Sequence, residues 1–229
     1  MNVKIFYDGV NIKEFGELPY VVGFTTNTSY MAQANVSDFT AFAKDYLVLA
    51  KGRPTSFQCW AETEKEIIEQ VKTIASWGEN VYVKIPIVQS NGSSNGAVIK
   101  KLHDEGYKIN ITVVHTIPQI DESATLLSDK TPAIVSVFAG GISDAGVHPE
   151  PIVKHSVDTF KDMKNVETLW AGCQRILSVV EADELGCEIV TVPDAVLKKY
   201  GRLGKDIHTV SVEKSASFHN DAIKAGFHF

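Results

Sequence analysis

A single charged residue interrupts the apolar run Val81-Tyr82-Val83-Lys84-Ile85-Pro86-Ile87. Burying an unpaired ammonium is costly, so a lysine in this setting is either ion-paired, with Asp8 or another carboxylate, or used as an amine. Desolvation lowers its pKa, and the resulting free amine attacks a carbonyl to form a Schiff base. Other polar residues stand at or near the ends of apolar runs: Asp8, Thr26 and Asn27, Gln58, Asn110 and Thr112, and Ser136. What they can do with Lys84 depends on whether the chain brings them to one place.

Strand-like and helix-like segments alternate along the sequence with little left over. Runs of β-type composition cover 4–8, 21–27, 55–61, 81–87, 109–115, 133–139, 166–172 and 188–192. Helical periodicity marks 38–50, 64–76, 95–105, 118–127, 149–164, 175–185 and 194–200, with a last amphipathic stretch at about 212–225. Thr63 and Glu66 have the spacing of a capping box ahead of the second of these helices. This pattern predicts one domain over residues 1–229, a single α/β (β/α)₈ TIM barrel with an extra C-terminal helix. No G-x-G-x-x-G follows the first strand, which removes the usual dinucleotide reading.

In such a barrel the site lies at the C-terminal ends of the strands, and alternate residues point inward. By that parity Lys84 goes with Tyr82 and Pro86, Asp8 with Phe6, and Gln58 with Ser56 and Trp60. Asn27 goes with Thr25, Thr112 with Asn110, and Ser136 with Phe138. One barrel mouth accommodates them all.

Composition narrows the function further. The formal net charge is -6, and no cluster of Lys and Arg exceeds a pair, which argues against nucleic acid. No stretch approaches the roughly 20 apolar residues of a membrane span, and no signal-like apolar segment opens the chain, so a soluble cytoplasmic protein is expected. The 3 cysteines and 7 histidines lack metal-ligand spacing. No metal or other cofactor is expected.

The segments Thr25-Thr26-Asn27-Thr28-Ser29, Val83-Lys84-Ile85-Pro86, Asn110-Ile111-Thr112, and Ser136-Val137-Phe138 followed by Asp144-Ala145-Gly146 together resemble the transaldolase family, including its short fructose-6-phosphate aldolase-like members. The resemblance runs from Asp8 to about Pro193. It implies a class I aldolase barrel in which Lys84 forms the Schiff base with a ketose or dihydroxyacetone and Asp8 is the acid/base. Asn27 and Thr26 would lie in the segment that contacts sugar hydroxyls, and Asn110 and Thr112 would hold substrate and the catalytic water. Ser136 and Phe138 would line the substrate site. Retro-aldol cleavage needs an iminium as electron sink, a base for the C4 hydroxyl proton and a water-mediated proton path. The resemblance also implies a homo-oligomer acting on small-molecule sugars or sugar phosphates.

Two departures bear on specificity. Gln58 stands where transaldolases proper have glutamate, as in the aldolase-like members, whereas Phe138 replaces the tyrosine of those members and matches transaldolases proper. Gly140-Gly141-Ile142 lacks the family's arginine after the sixth strand, and Gly172-Cys173-Gln174 lacks the serine and cation after the seventh. Arg175, one position out of register, is the candidate substitute. Losing two charge-assisted contacts at about 1.5–3 kcal/mol each weakens phosphate binding a hundredfold or more, so the substrate is inferred to lack the usual terminal phosphate or to carry its charge elsewhere. The expected activity is transfer of a dihydroxyacetone unit to an aldehyde acceptor. Its alternatives are a fructose-6-phosphate aldolase-type lyase, a deoxyribose-phosphate type of aldolase, and a sugar-binding barrel without turnover.

Overall fold

The computed structural model describes residues 1–228. Eight parallel strands close into one barrel in sequence order: β1 (Lys4–Asp8), β2 (Val21–Thr25), β3 (Thr55–Gln58), β4 (Val81–Pro86), β5 (Ile109–Val114), β6 (Ala133–Val137), β7 (Val166–Trp170) and β8 (Ile189–Pro193). Pairing of β1 with β8 completes the circle. The helices are α1 (Ile12–Phe15), α2 (Thr28–Gln33), α3 (Phe39–Ala50), α4 (Glu64–Ala75), α5 (Gly96–Asp104), α6 (Ile117–Leu126), α7 (Ala139–Asp144), α8 (Glu150–Phe160), α9 (Ile176–Leu185), α10 (Asp194–Leu197) and α11 (Ile207–Ala225). This is the expected (β/α)₈ architecture.

Local chemistry explains where the helices begin. Thr63 accepts from the Glu66 N–H while the Glu66 side chain returns to the Thr63 backbone, forming the anticipated capping box of α4. Thr116 and Gln119 build a second box at α6. Asn27 caps α2 by accepting from the Tyr30 N–H at 3.0 Å. β2 stops at Thr25 because the chain turns almost at once into the Asn27 cap, and β3 stops at Gln58, ahead of the loop that leads to the Thr63 cap. The inward parity therefore does not extend to Trp60, which is exposed and packs its ring against Phe39.

The lower lumen is a hydrophobic plug of Phe6, Ile134, Leu169, Ala171 and Ile189, with Tyr82 and Phe138 packed against it. Phe6 requires Gly23 opposite, because a Cβ there would stand 2.4 Å from the Phe6 ring. Val81, Val83, Ile85 and Ile87 are all buried on the other face of the β4 segment, the face that packs on helices. That burial leaves Lys84 on the inner face.

The chain forms two compact units, Met1–Leu197 and the residues from Lys198 onward. The first contains the barrel. In the second, α11 starts later helical expectations five residues early, is capped by Asp206, ends on left-handed Gly226 and has no buried residue. Ile207, Val212, Phe218 and Ile223 are exposed along it. Among the described residues, no helix is long and apolar enough to cross a membrane.

Candidate active site

Strand register sets the first layer of the site. Lys84 pairs across the sheet with Gln58 on β3 and Asn110 on β5, and Pro86 pairs with Thr112. Continuing round the barrel from β3, Ser56 pairs with Thr25, and Thr25 with Asp8. The polar residues selected from the strand sequences thus share the upper lumen.

Lys84 is 6% exposed, and its Nζ lies 3.4 Å from the Thr26 carbonyl. Among the described residues no ion pair within 4.0 Å joins it to Asp8 or any other carboxylate. Burial lowers the Lys84 pKa, with the Asp8 charge opposing that shift. Burial in turn raises Asp8, and Lys84 followed by hydroxyl donors opposes it. Asp8 accepts from Thr25 Oγ1 at 2.7 Å. With its proton on Asp8, Thr25 accepts from Thr191, so a hydroxyl chain backs the carboxylate.

Asn110 is fully buried and held on both sides, accepting from Ser136 Oγ at 2.7 Å and donating to Ser56 Oγ at 3.1 Å. Both Asn110 and Ser136 are therefore members of one network beneath the lysine. Gln58 Nε2 donates to the Cys59 carbonyl at 2.9 Å and to that of Lys84 at 3.4 Å. Thr26 and Thr112 each bury a hydroxyl without a protein partner among the described residues. Leaving such a group unsatisfied costs about 1–3 kcal/mol. Next to Thr112, Val113 has φ 64° at a register shift between β5 and β6. A β-branched residue in the left-handed region stores local strain, a feature associated with functional sites.

Asp8 also lines a cavity of about 380 Å³ above the lumen, with Tyr30, Gly140, Gly141, Asp144, Gly172, Cys173, Gln174, Pro193, Ala195 and Val196. Among the described residues no lysine or arginine borders it. The β6 and β7 loops approach so closely that a Cβ on Gly140 would stand 2.3 Å from the Gly172 carbonyl oxygen. Gln174 donates to both Asp144 carboxylate oxygens at 3.0 Å. Cys173 is a buried thiol, its pKa pushed up to about 12 by burial first.

Other selected residues occupy different places. Asn27 Oδ1 is engaged in the α2 cap. Phe138 is packed on the hydrophobic plug and on His115, with ring centroids 5.3 Å apart. Arg175 does not line the cavity beside Asp8; it borders an adjoining one of about 280 Å³, which shares Gly140, Gly172 and Gln174 with the first, and pairs with Glu181 at 2.8 Å. The expected register-shifted substitute for the missing cation is thus spent elsewhere. A larger cavity of about 810 Å³, bordered by Phe39, Trp60 and Trp77, lies by α3 and α4 and includes neither Lys84 nor Asp8.

Sequence reasoning passed over Tyr30, which borders the same cavity as Asp8. A usable signal was present: Asn27 followed three residues later by Tyr30 has N-cap spacing, which would have started a helix there and aimed its first turn at the mouth. Thr191 was passed over as well.

The profile of the Transaldolase/Fructose-6-phosphate aldolase family matches residues 5–228. The chain belongs to that family. It is 30% identical over 199 residues to a probable transaldolase of Dehalococcoides mccartyi, covering 85% of this chain and 88% of that one. A probable transaldolase of Lactiplantibacillus plantarum is 30% identical over 226 residues, 96% of each chain. As a member of a family of transaldolases and class I aldolases, the protein is an enzyme. Solved structures add the fold alone: a flavocytochrome b2 mutant with benzoylformate shares 12% identity at a TM-score of 0.52, this chain covering 56% of that one. A mandelate oxidase mutant with benzaldehyde shares 15% at 0.53, with 55% of that chain covered.

Proposed function

We propose that the enzyme forms a Schiff base at Lys84 and transfers a dihydroxyacetone unit from a ketose to an aldehyde acceptor. One observation carries this reading: a buried amine on the inner face of β4, depressed in pKa by burial and without a carboxylate within ion-pairing distance. A structural lysine at that depth would be paired.

In the proposed sequence Lys84 Nζ adds to the ketose C2 carbonyl, and loss of water gives the iminium. Asp8 takes the C4 hydroxyl proton while the C3–C4 bond breaks. The bonding pair enters the iminium to give an enamine, and the C4 fragment leaves as an aldehyde. The enamine then attacks the acceptor aldehyde, and hydrolysis restores the amine. Thr112 and Thr26 offer buried hydroxyls for substrate or the catalytic water, and Asn110, held by Ser56 and Ser136, presents a fixed amide below them. Gln58 stands beside Lys84, whereas Asn27, Ser136 and Phe138 act from behind the site by capping α2, holding Asn110 and packing on the plug. Arg175 is left out of this assignment because of its pairing with Glu181.

We assign the acceptor end to an unphosphorylated, hydroxyl-bearing aldehyde. Among the described residues two carboxylates, Asp8 and Asp144, border the cavity, and no cation does. Gly140, Gly141 and Gly172 leave backbone and hydroxyl-binding groups where a phosphate would need charge. The enzyme is taken to work in the cytoplasm as a homo-oligomer, a reading supported by the exposed apolar residues of α11. A lyase that releases dihydroxyacetone to water is the second reading, favoured by Gln58.

Borohydride reduction with dihydroxyacetone tests the chemistry without involving phosphate. Intact mass and peptide mapping should place one adduct on Lys84, absent in Lys84→Met. No adduct in the native enzyme would replace this reading with that of a sugar-binding barrel.

A further inference from the structure

Alternation along β1 sends Phe6 and Asp8 to the lumen and Tyr7 to the helices, where it is fully buried with its ring against Phe15. A phenol taken out of water needs partners for its hydroxyl. Tyr7 Oη donates to Asp194 Oδ1 at 2.6 Å and accepts from the Asn11 N–H at 2.8 Å, and Asn11 Nδ2 donates to the second Asp194 oxygen at 2.7 Å. This triangle closes on the peptide that follows Asp8: a Cβ on Gly9 would stand 2.4 Å from Tyr7 Oη and 3.0 Å from Asp194 Oδ1. We propose that Tyr7 and Asp194 are positioning residues for the aldol chemistry, together forming a strut that fixes the Asp8 backbone and so the place from which its carboxylate exchanges a proton with substrate. This rests on the reading of Lys84 as the Schiff-base lysine and Asp8 as the acid/base.

A carboxylate one methylene from its Cα goes where the backbone puts it. Asp8 ends β1, paired with Thr25 on one side and with Pro193 on the other, and Asp194 directly follows that second partner. Past Asp8 the strand gives way to a turn, and side chains take over its hold. The Gly9 N–H donates to the Thr25 carbonyl and Tyr46 Oη donates to the Gly9 carbonyl, both at 3.0 Å. The strut then draws Asn11 back to the Tyr7 hydroxyl and ties the turn to the start of α10. Thr25 Oγ1, which donates to Asp8 at 2.7 Å, stands on β2, so that bond too depends on where β1 places the carboxylate. Pro193 and Ala195, on either side of Asp194, border the same cavity as Asp8.

In cleavage the C4 hydroxyl proton passes to Asp8, the C3–C4 electron pair moves into the Lys84 iminium, and the C4 oxygen becomes the aldehyde carbonyl. Tyr7 and Asp194 exchange no proton with substrate. Burial first, then the hydrogen bond to Asp194, raises the Tyr7 pKa, so its hydroxyl stays a donor. Imine formation needs the Lys84 amine on β4, whereas cleavage also needs Asp8 within reach of the C4 hydroxyl. A misplacement of about 1 Å costs such a step up to about a hundredfold. Loosening the strut should therefore separate the two steps, slowing cleavage while imine formation continues.

The test compares two rates in each variant: borohydride trapping of dihydroxyacetone on Lys84, and single-turnover release of aldehyde from saturating fructose or fructose 6-phosphate. Tyr7→Phe keeps the ring and removes the hydroxyl, and Asp194→Ala removes the other end of the strut. Each should lower cleavage about tenfold while trapping stays within about twofold. Because both cut the same strut, the double variant should be no slower than the slower single one. Asp194→Asn keeps an acceptor for Tyr7, and the exposed Asn11 amide can turn to meet it, so this variant should recover most of the rate. Rates are read well below each variant's thermal midpoint, and if Tyr7→Phe does not fold, the two Asp194 variants decide. Unchanged cleavage, a loss shared equally by trapping and cleavage, single losses that multiply in the double variant, or Asp194→Asn as slow as Asp194→Ala would each overturn the proposal. Absence of the adduct in the native enzyme would instead strike at the Schiff-base reading, and undiminished cleavage in Asp8→Asn at the acid/base reading.

Discussion

On the β1–β5 side of the barrel mouth, polar groups converge on two residues: the Thr26 carbonyl meets Lys84, Thr25 meets Asp8, and Asn110 is held by Ser56 and by Ser136 of the neighbouring β6. On the β6–β7 side the loops carry Gly140, Gly141 and Gly172, the side-chain hydrogen bond of Gln174 goes to Asp144, and Arg175 turns to Glu181. One side is arranged to handle an amine and a proton. The other has room, and its cation, Arg175, is paired with Glu181. The contrast separates the reaction type, which depends on the first side, from substrate choice, which depends on the second.

The strongest break falls on the first side. Lys84→Met should abolish both the trapped adduct and turnover, as read by mass and by aldehyde release. Asp8→Asn should lower turnover by about 10²–10⁴-fold while imine formation persists. Because the Asp8 charge raises the Lys84 pKa, its removal lets the amine lose its proton at lower pH. The acidic limb of dihydroxyacetone trapping should therefore move down in Asp8→Asn.

Changes on the second side should sharpen the contrast by altering preference alone. Gly141→Arg places a cation where the cavity has none, and the group crowding its Cβ is the His115 ring nitrogen at 2.8 Å, the end of a side chain that can turn. With dihydroxyacetone as donor, kcat/KM for glyceraldehyde 3-phosphate should rise about tenfold or more, with glyceraldehyde little changed. Arg175→Ala should have the smallest effect. Its guanidinium is largely exposed and engaged with Glu181, so either acceptor should change by less than about fivefold.

The barrel and its lysine were legible because each rests on short-range regularity. An apolar run with one charge, repeated strand and helix periods, and inward parity are all properties of neighbouring residues. Asp8, Asn110, Thr112 and Ser136 follow from the same parity. What escaped depends on where strands stop and how loops turn. Tyr30 comes to border the cavity beside Asp8 because β2 ends at Thr25 and Asn27 opens a helix; Trp60 leaves the lumen because β3 ends at Gln58. The left-handed Val113 has no counterpart in its residue type, which disfavours that conformation. Arg175 sits one residue from a position of interest in sequence, yet its pairing with Glu181 is a matter of side-chain geometry.

The most direct test of the contrast is competition between acceptors on the native enzyme. With dihydroxyacetone as donor, kcat/KM is compared for glyceraldehyde and glyceraldehyde 3-phosphate, which differ only in the terminal group. The account predicts that glyceraldehyde is used at least as well as its phosphate. A preference of a hundredfold or more for glyceraldehyde 3-phosphate, the size expected of two charge-assisted contacts, would contradict it and require a cation at the mouth.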